Sequence, residues 1–359
     1  MKIVYVINSI KNSGPNQVVE AMVNGISDRN DVIVVAFFGP NDSAGAERLR
    51  RVGAKVVVLG VSKRHIITKG TRRLRAYLEG CGVSVIHSHG ILSDIAVARS
   101  GFGQKALTTI HNNMPADYKS TFGPIKGLLY TTLHLLYLRR IRLAVCCSKD
   151  GMKAIRPFVR RVTFIHNGYG SESTQESVSI RDEIRATMGI KPSDRVYLYI
   201  GRLSKRKNIK ELILNFRVSR SANEHLIIVG DGEEYEYCVE NAGDGIHVVG
   251  FKDNVEDYHR VSDVYVSASL SEGFSISIIE ALSKGLYLLL SDIPSHREVI
   301  DIDPSKYIGT IFSNGNFSAK KDELVKSMGT RLTPVNYHQK YLTQEVMMRQ
   351  YEKLYKGVL

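Results

Sequence analysis

Glu272 and Glu280 stand eight residues apart in the segment SEGFSISIIEALSKG, and their spacing suggests chemistry. After Gly273 the pattern turns helical: Ile276, Ile279 and Ala281-Leu282 fall near one face, and Lys284-Gly285 closes it. This places Glu272 in the loop before a helix and Glu280 about two turns inside it. A helix start presents N–H groups without intrahelical partners and the positive end of the dipole, so it suits an anion such as a diphosphate. Glu272 is then placed to accept from hydroxyls beside the anion, and Glu280 from a second pair farther in. A ligand with a diphosphate and several diols, a nucleotide sugar, satisfies all three features. The competing reading is a capped helix with one acid before it and one on its solvent face. The surroundings favour the first. The segment follows apolar Val264-Tyr265-Val266 and precedes apolar 287–290, a strand–loop–helix–strand unit of the kind that gathers ligands at the carboxyl ends of its strands.

Further residues suit the same ligand. Gly201 follows an apolar strand and is succeeded by Arg202 and, five residues on, Lys207. A planar guanidinium and a compact ammonium both donate to phosphate oxygens. Within Lys205-Arg206-Lys207 the first two are expected at the surface, and a solvated basic turn is the competing reading for the whole run. Gly14-Pro15 links the first strand to the first helix, where glycine permits close backbone approach and proline suits the first turn. A dinucleotide site would want G-x-G-x-x-G there, which is absent. His111 follows the strand 106–110. His87 and His89 lie one strand earlier and are expected on opposite faces, as poor joint metal ligands, with packing the favoured role for both. Asp301-Ile302-Asp303 is expected in a loop with no metal role.

Several of these motifs, in order along the chain, resemble retaining glycosyltransferases of family 4. They are Ser271-Glu272-Gly273-Phe274 with Glu280-Ala281, the E-x7-E signature; Gly201-Arg202 with Lys207-Asn208; Val229-Gly230-Asp231-Gly232; His166-Asn167-Gly168; and the terminal Tyr351-Glu352-Lys353-Leu354-Tyr355. The resemblance implies an α/β GT-B fold, two facing Rossmann-like domains with a cleft between them. It implies an acceptor domain at 1–168, a donor domain at 169–337, and a terminal helix, about 338–359, crossing back to the first. It implies transfer from a nucleotide-diphosphate sugar, UDP-linked by expectation, to a saccharide hydroxyl in bacterial surface polysaccharide synthesis, with no metal or other cofactor. Arg202 and Lys207 would hold the diphosphate and neutralise the leaving group. Glu272 would hold hydroxyls of the transferred sugar, Glu280 the ribose, and the backbone of Gly273, Phe274, Ser275, Ile276 and Ser277 would face sugar and phosphate. The backbone near Phe251 and Lys252 would read the base, Gly14 would approach the donor, and His111 would lie near sugar and acceptor. Paired glycines are usual where this chain has Gly14-Pro15. No residue stands out as a nucleophile, which agrees with departure of the diphosphate and arrival of the acceptor on one face.

The elements needed to hold such residues are present. Short apolar strands alternate with helical stretches through both halves, the pattern of largely parallel sheets covered on both faces. Strands are expected at 2–7, 32–38, 55–59, 83–87, 106–110, 144–147 and 162–165, then at 195–200, 225–229, 247–249, 263–267 and 287–290, with a polar linker at 171–193. A length of 359 residues suits two domains. Cys81, Cys146, Cys147 and Cys238 form no metal-type pattern, which fits a reduced, cytoplasmic setting. The start, MKIVYVINSI, reads as a strand, and no uncharged apolar run nears the roughly 20 residues of a spanning helix.

The net charge of +13 is uneven: residues 1–168 carry 25 Lys and Arg against 9 Asp and Glu. A basic half suggests nucleic acid or an anionic membrane surface. No helix-turn-helix, RNP, KH or zinc motif supports the first, so no nucleic-acid partner is expected. The Leu-rich stretch 127–138, with Lys126 before it and Arg139, Arg140 and Arg142 after it, suits either a helix docked on a membrane surface, with a lipid-linked acceptor, or a core helix. A GT-B epimerase and a non-catalytic nucleic-acid binder are the alternative functions.

Overall fold

The computed structural model describes residues 1–11, 13–39, 43–170, 178–313 and 315–358. They form two compact units, 1–170 with 343–359, and 171–342. The first holds seven strands, β1 (Lys2–Ile7), β2 (Asp31–Ala36), β3 (Lys55–Val58), β4 (Val85–His89), β5 (Ala106–Ile110), β6 (Leu143–Cys146) and β7 (Val162–Phe164). They make one parallel sheet in the order β3-β2-β1-β4-β5-β6-β7. In β1 every residue from Ile3 to Ile7 is buried, as a strand covered by helices on both faces requires. The second unit holds β8 (Arg195–Ile200), β9 (Glu224–Val229), β10 (Ile246–Gly250), β11 (Val264–Ser267), β12 (Tyr287–Ser291) and β13 (Gly309–Phe312), parallel in the order β10-β9-β8-β11-β12-β13.

In each sheet the order reverses once, between β1 and β4 and between β8 and β11. At such a switch point the loops leaving adjacent strands diverge to opposite faces and open a crevice at the carboxyl edge. That geometry positions everything below.

Two expectations need correction. β4 runs two residues later than expected, so His89 belongs to the strand. β13 was not anticipated: Gly309-Thr310-Ile311-Phe312 is too short and too little periodic to announce itself, and its pairing with β12 makes it a strand. Of the linker at 171–193, residues 171–177 lie outside the described residues, and Val178–Thr187 is helical.

The helix Leu332–Tyr341 ends within the second unit, and the helix Gln344–Val358 lies with the first. Gly168 explains how the returning chain sits so close: a Cβ there would stand 2.4 Å from the Thr343 carbonyl oxygen. Tyr351 and Tyr355 then bury their hydroxyls against the sheet. The Tyr355 hydroxyl shares hydrogen bonds with Tyr5 Oη (3.0 Å) and His87 Nδ1 (2.7 Å), and the Tyr351 hydroxyl with Thr109 Oγ1 (2.9 Å). His87 Nε2 also meets Thr109 Oγ1 at 2.7 Å. The paired tyrosines of the terminal helix thus complete a polar network inside an apolar core.

Asp94, wholly buried, accepts from Ser88 Oγ (2.6 Å) and Thr108 Oγ1 (2.7 Å) and meets His134 Nε2 at 2.8 Å. His134 comes from the helix Pro124–Leu138, which packs on the helix Met114–Phe122. Gly127 allows that approach, since a Cβ there would lie 2.7 Å from the Lys119 Cα. In the second unit the buried charges are also matched. Glu224 accepts from Lys321 Nζ and from Tyr197 Oη, and Asp263 from Arg181 and Arg185.

Two outcomes follow. Tyr355→Phe takes the hydrogen-bond partner from His87 Nδ1 and from the Tyr5 hydroxyl, both buried, and should lower unfolding free energy by about 1–3 kcal/mol in urea titration, with native secondary structure retained. Burial also pulls the His87 pKa down to about 3 and, against a smaller opposing pull from Asp94, the His111 pKa down to about 4. Below about pH 6.5 the unfolded chain takes up protons that the folded chain refuses, so stability is full above that pH and falls as pH drops toward those values. A urea midpoint unchanged between about pH 7.5 and about pH 5 would contradict this.

Candidate functional site

The loops after β8 and β11 flank the switch point of the second sheet, and they bring together residues far apart in sequence. Glu272 is 8% exposed. Its Oε1 accepts from Lys207 Nζ and from Ser269 Oγ (2.8 Å), and its Oε2 from Arg206 Nη1 (3.1 Å). Burial alone would raise this carboxyl; Lys207 and then Arg206 outweigh it and hold the pKa down to about 2. Arg206 also donates to the Ser271 carbonyl (2.6 Å), and the Leu270 N–H donates to the Arg206 carbonyl (2.9 Å), so the two loops are stitched at both backbone and side chain. Arg206, expected at the surface, is partly exposed, and its guanidinium turns onto Glu272 and the Ser271 carbonyl. Three consecutive basic residues in one 3-10 turn point in different directions, and sequence alone could not say which turned inward. The turn closes at Asn208, whose φ of 54° is the left-handed conformation that asparagine tolerates.

The glycines nearby have a packing reason. A Cβ on Gly230 would sit 1.9 Å from the Gly201 carbonyl oxygen, and one on Gly232 would sit 2.3 Å from that of Leu203. The loops after β8 and β9 are in backbone contact, which only glycine permits. Arg202, in the first of these loops, points outward, is 74% exposed, and pairs with Glu233 at 3.3 Å. The structure thus unites Lys207 with Glu272 and leaves Arg202 engaged elsewhere. Phe251 and Lys252 follow β10 at the same carboxyl edge, both exposed.

The helix after Glu272 is Ile276–Ser283, with Ser275 at its cap in extended conformation. Its first intrahelical bond from the 275 carbonyl goes to the Ile279 N–H, so the amides of Ile276, Ser277 and Ile278 have no carbonyl four residues back inside the helix. Gly273 and Phe274 are buried in the turn before it. Glu280 is the fifth helical residue, little more than one turn in rather than two. The reason is the tight turn at Gly273–Ser275, which delays the helix start. Tyr265 of β11 lies near both glutamates. Burial first, then Glu272, and more weakly Glu280, raise its pKa. His296 is a neighbour that the sequence reading missed. It is buried close enough to Glu272 to feel its charge, its Nδ1 meets the Ser291 carbonyl at 2.9 Å, and its Nε2 has no hydrogen-bond partner among the described residues. A lone histidine in a short helix carries no sequence signal of that position.

The first unit has its own crevice, of about 640 Å³, at the carboxyl edge of its sheet. Asn8, Lys11, Pro15, Lys63, His89 and His111 are among its lining residues. His111 follows β5, and its Nε2 shares a 2.9 Å hydrogen bond with His89 Nδ1. His87 and His89 stack with ring centroids 4.5 Å apart, so they lie on one face, against the expectation. Strand side chains alternate with a period of two, and residues i and i+2 must share a face. His89 Nε2 is buried without a partner among the described residues. Burial holds His89 well below the usual histidine range, with His87 and His111 adding to the effect, so this cluster is uncharged at neutral pH. Gly14 opens the helix Gly14–Ile26 and is exposed, and the preceding Asn12 lies outside the described residues.

Among the described residues no three His, Cys, Asp or Glu side chains gather as a metal-binding group. Asp301 and Asp303 lie just beyond the helix Pro294–Ile300, and Asp303 accepts from Ser305 Oγ (2.6 Å) and Tyr341 Oη (2.7 Å).

Known proteins share this organisation. Residues 12–172 match the family described as Glycosyltransferase Family 4, and residues 180–340 match Glycosyl transferases group 1. The O-antigen biosynthesis glycosyltransferase WclY of Escherichia coli is 24% identical over 315 residues, 84% of this chain and 83% of the relative. The UDP-Gal:alpha-D-GlcNAc-diphosphoundecaprenol alpha-1,3-galactosyltransferase of Escherichia coli is 26% identical over 230 residues, 58% of each. Among solved structures, Anabaena HepE in complex with UDP and glucose superposes with a TM-score of 0.82 at 16% identity, over 99% of this chain and 100% of that one. Sucrose-phosphate synthase from Thermosynechococcus elongatus gives 0.80 at 16% identity, over 100% of this chain and 99% of that one. With both halves matched and the crevice-forming sheets in place, the chain is an α/β protein of GT-B fold that belongs to the group 1, family 4 glycosyltransferases.

Proposed function

We propose that this glycosyltransferase moves a sugar from a nucleotide-diphosphate donor, UDP-linked, to a hydroxyl of a saccharide acceptor, with retention and without a metal ion, in the cytoplasmic synthesis of a bacterial surface polysaccharide. The observation that carries the reading is the buried Glu272 held by Lys207 and Arg206 at the switch point of the second sheet. The relatives named for O-antigen synthesis and for UDP-Gal transfer support the donor and the setting. No observation favours an epimerase or a nucleic-acid binder.

In this reading the donor diphosphate takes the place at the start of the helix Ile276–Ser283, where free amides and the helix dipole favour an anion. Lys207 and Arg202 neutralise the charge that grows on the departing diphosphate, an electrostatic contribution to leaving-group departure. Arg202 exchanges its exposed pairing with Glu233 for phosphate, which costs little because surface pairs are weak. Glu272 aims Lys207 through their hydrogen bond, and its remaining lone pairs accept from sugar hydroxyls. Glu280 accepts from the ribose, and the backbone at Phe251 and Lys252 meets the base. His111, neutral and oriented by His89, serves the sugar and the acceptor. The bond from the anomeric carbon to the diphosphate oxygen breaks with its electron pair leaving on oxygen. The acceptor oxygen then bonds to that carbon from the same face, and its proton passes to the departing phosphate.

The two glutamates should separate kinetically. Glu272→Gln should mainly lower kcat, and Glu280→Gln should mainly raise KM for the donor, each by about ten- to a hundred-fold. Unchanged kcat in a folded Glu272→Gln enzyme would remove Glu272 from the mechanism. Arg202→Ala and Lys207→Ala should each abolish most turnover, whereas EDTA should leave the rate of sugar transfer unchanged. Activity lost to EDTA and restored by manganese or magnesium would overturn the two-cation reading.

A further inference from the structure

The helix Pro124–Leu138 has an inner face that mixes leucines with Thr131 and His134 and an outer face that is apolar and unused. Gly127, Thr131, His134, Leu135 and Leu138 are buried against the first unit. On the opposite side Ile125 is 83% exposed, Leu128 68%, Leu129 66% and Leu136 52%. Positions 125, 128, 129, 132 and 136 recur at the spacing of a single helical stripe, so these side chains share one outward line. Phe122, at the end of the preceding helix, and Tyr130 extend the patch. An amphipathic helix ordinarily turns its apolar stripe inward, and contiguous exposed apolar surface on a protein marks an interaction site.

The edges of the stripe say what it meets. Lys119 and Lys126 stand exposed at one end, and Arg139 and Arg140 at the other. Arg139 Nε donates to the Phe158 carbonyl (3.0 Å), which brings up a third exposed aromatic flanked by Arg156, Arg160 and Arg161. No Asp or Glu occurs from Tyr118 to Lys149. A second copy of the same stripe would set cation against cation, and it offers no acid to match them. The complementary surface is apolar at its centre and anionic at its rim, which describes the interface of a bilayer containing anionic lipid.

We propose that the outward face of the helix Pro124–Leu138 docks this enzyme on an anionic membrane surface, with Ile125, Leu128, Leu129 and Leu136 entering the interface and the flanking cations meeting lipid phosphates. The helix is too short and too interrupted to cross: no described helix is long and apolar enough to span a membrane. Its inner face reaches the crevice of the first unit. His134 lines that crevice and shares a 2.8 Å hydrogen bond with Tyr118, which lines it as well. One helical pair, held together at Gly127, therefore touches the membrane on one side and the crevice on the other.

Co-sedimentation with vesicles tests the proposal without donor or acceptor, so its failure would leave the reading of sugar transfer standing. The full chain should pellet with phosphatidylglycerol–phosphatidylethanolamine vesicles at low salt, and about ten-fold less with phosphatidylcholine alone or at high salt. The pair Leu128→Ser with Leu129→Ser, and the pair Arg139→Glu with Arg140→Glu, should each cut binding about ten-fold while keeping the thermal transition of the parent. Ile125→Ser, at the most exposed position, provides a variant with no packing role and should weaken binding in the same direction. Docking is overturned if the parent stays in the supernatant with anionic vesicles at low salt or if the variants bind as the parent does. It is overturned too if the serine variants only convert a dimer to a monomer in analytical ultracentrifugation.

Discussion

A carboxylate taken out of water must have its charge answered where it sits, and Glu272 shows how much structure that requirement organises. Removing an ion from water costs several kcal/mol unless opposite charge and hydrogen bonds replace the lost hydration. Here Lys207, Arg206 and Ser269 supply them. Lys207 and Arg206 arrive on the loop after β8, and Glu272 and Ser269 on the loop after β11. These two strands are neighbours only because the sheet order reverses between them. The close packing of Gly201 against Gly230 and of Leu203 against Gly232 keeps the first loop low over the sheet edge, where its cations can reach inward. In the proposed reading Lys207 also meets the donor diphosphate, so the side chains that answer the charge of Glu272 would serve ligand binding too.

The first unit follows a different rule. Its crevice is built over neutral imidazoles: His87, His89 and His111 stack or hydrogen-bond in sequence, and the tyrosines of the terminal helix fix the far end through His87. Burial disfavours the charged form of each ring. The loops of the second unit thus hold paired charge around Glu272, whereas the strand ends of the first hold oriented, uncharged rings, with Lys11 and Lys63 elsewhere on the crevice wall. Asp94 is the exception in the first unit, and it is enclosed by Ser88, Thr108 and His134. Through His134 it also holds the helix whose outer face stays apolar and exposed.

Much of this was legible along the chain. Alternating short apolar runs and helical patterns specify parallel sheets, because a strand covered on both faces leaves no polar alternation. The close backbone approach at Gly230 and Gly232 emerged only from the structure, whereas the acidic pair with its glycine turn announced a loop feeding a helix start. These are local properties: hydrophobic period, backbone freedom and terminal N–H groups are each decided within a few residues.

What the sequence by itself determined was therefore the class of fold, the loops at the strand ends where the candidate site lies, and the residue types in them. Only the tertiary structure decided which of three adjacent cations turns inward, that Arg206 joins Lys207 on Glu272, and that Arg202 faces Glu233. It also decided that His296 lies beside Glu272, that β13 completes the second sheet, and that one face of a leucine-rich helix is left bare. The physical reason is common to all of these. Side-chain direction in a turn, pairing between loops 65 residues apart, and exposure of a helix face depend on what packs against them. That neighbour is set by strand order and chain crossing, which no window of sequence contains.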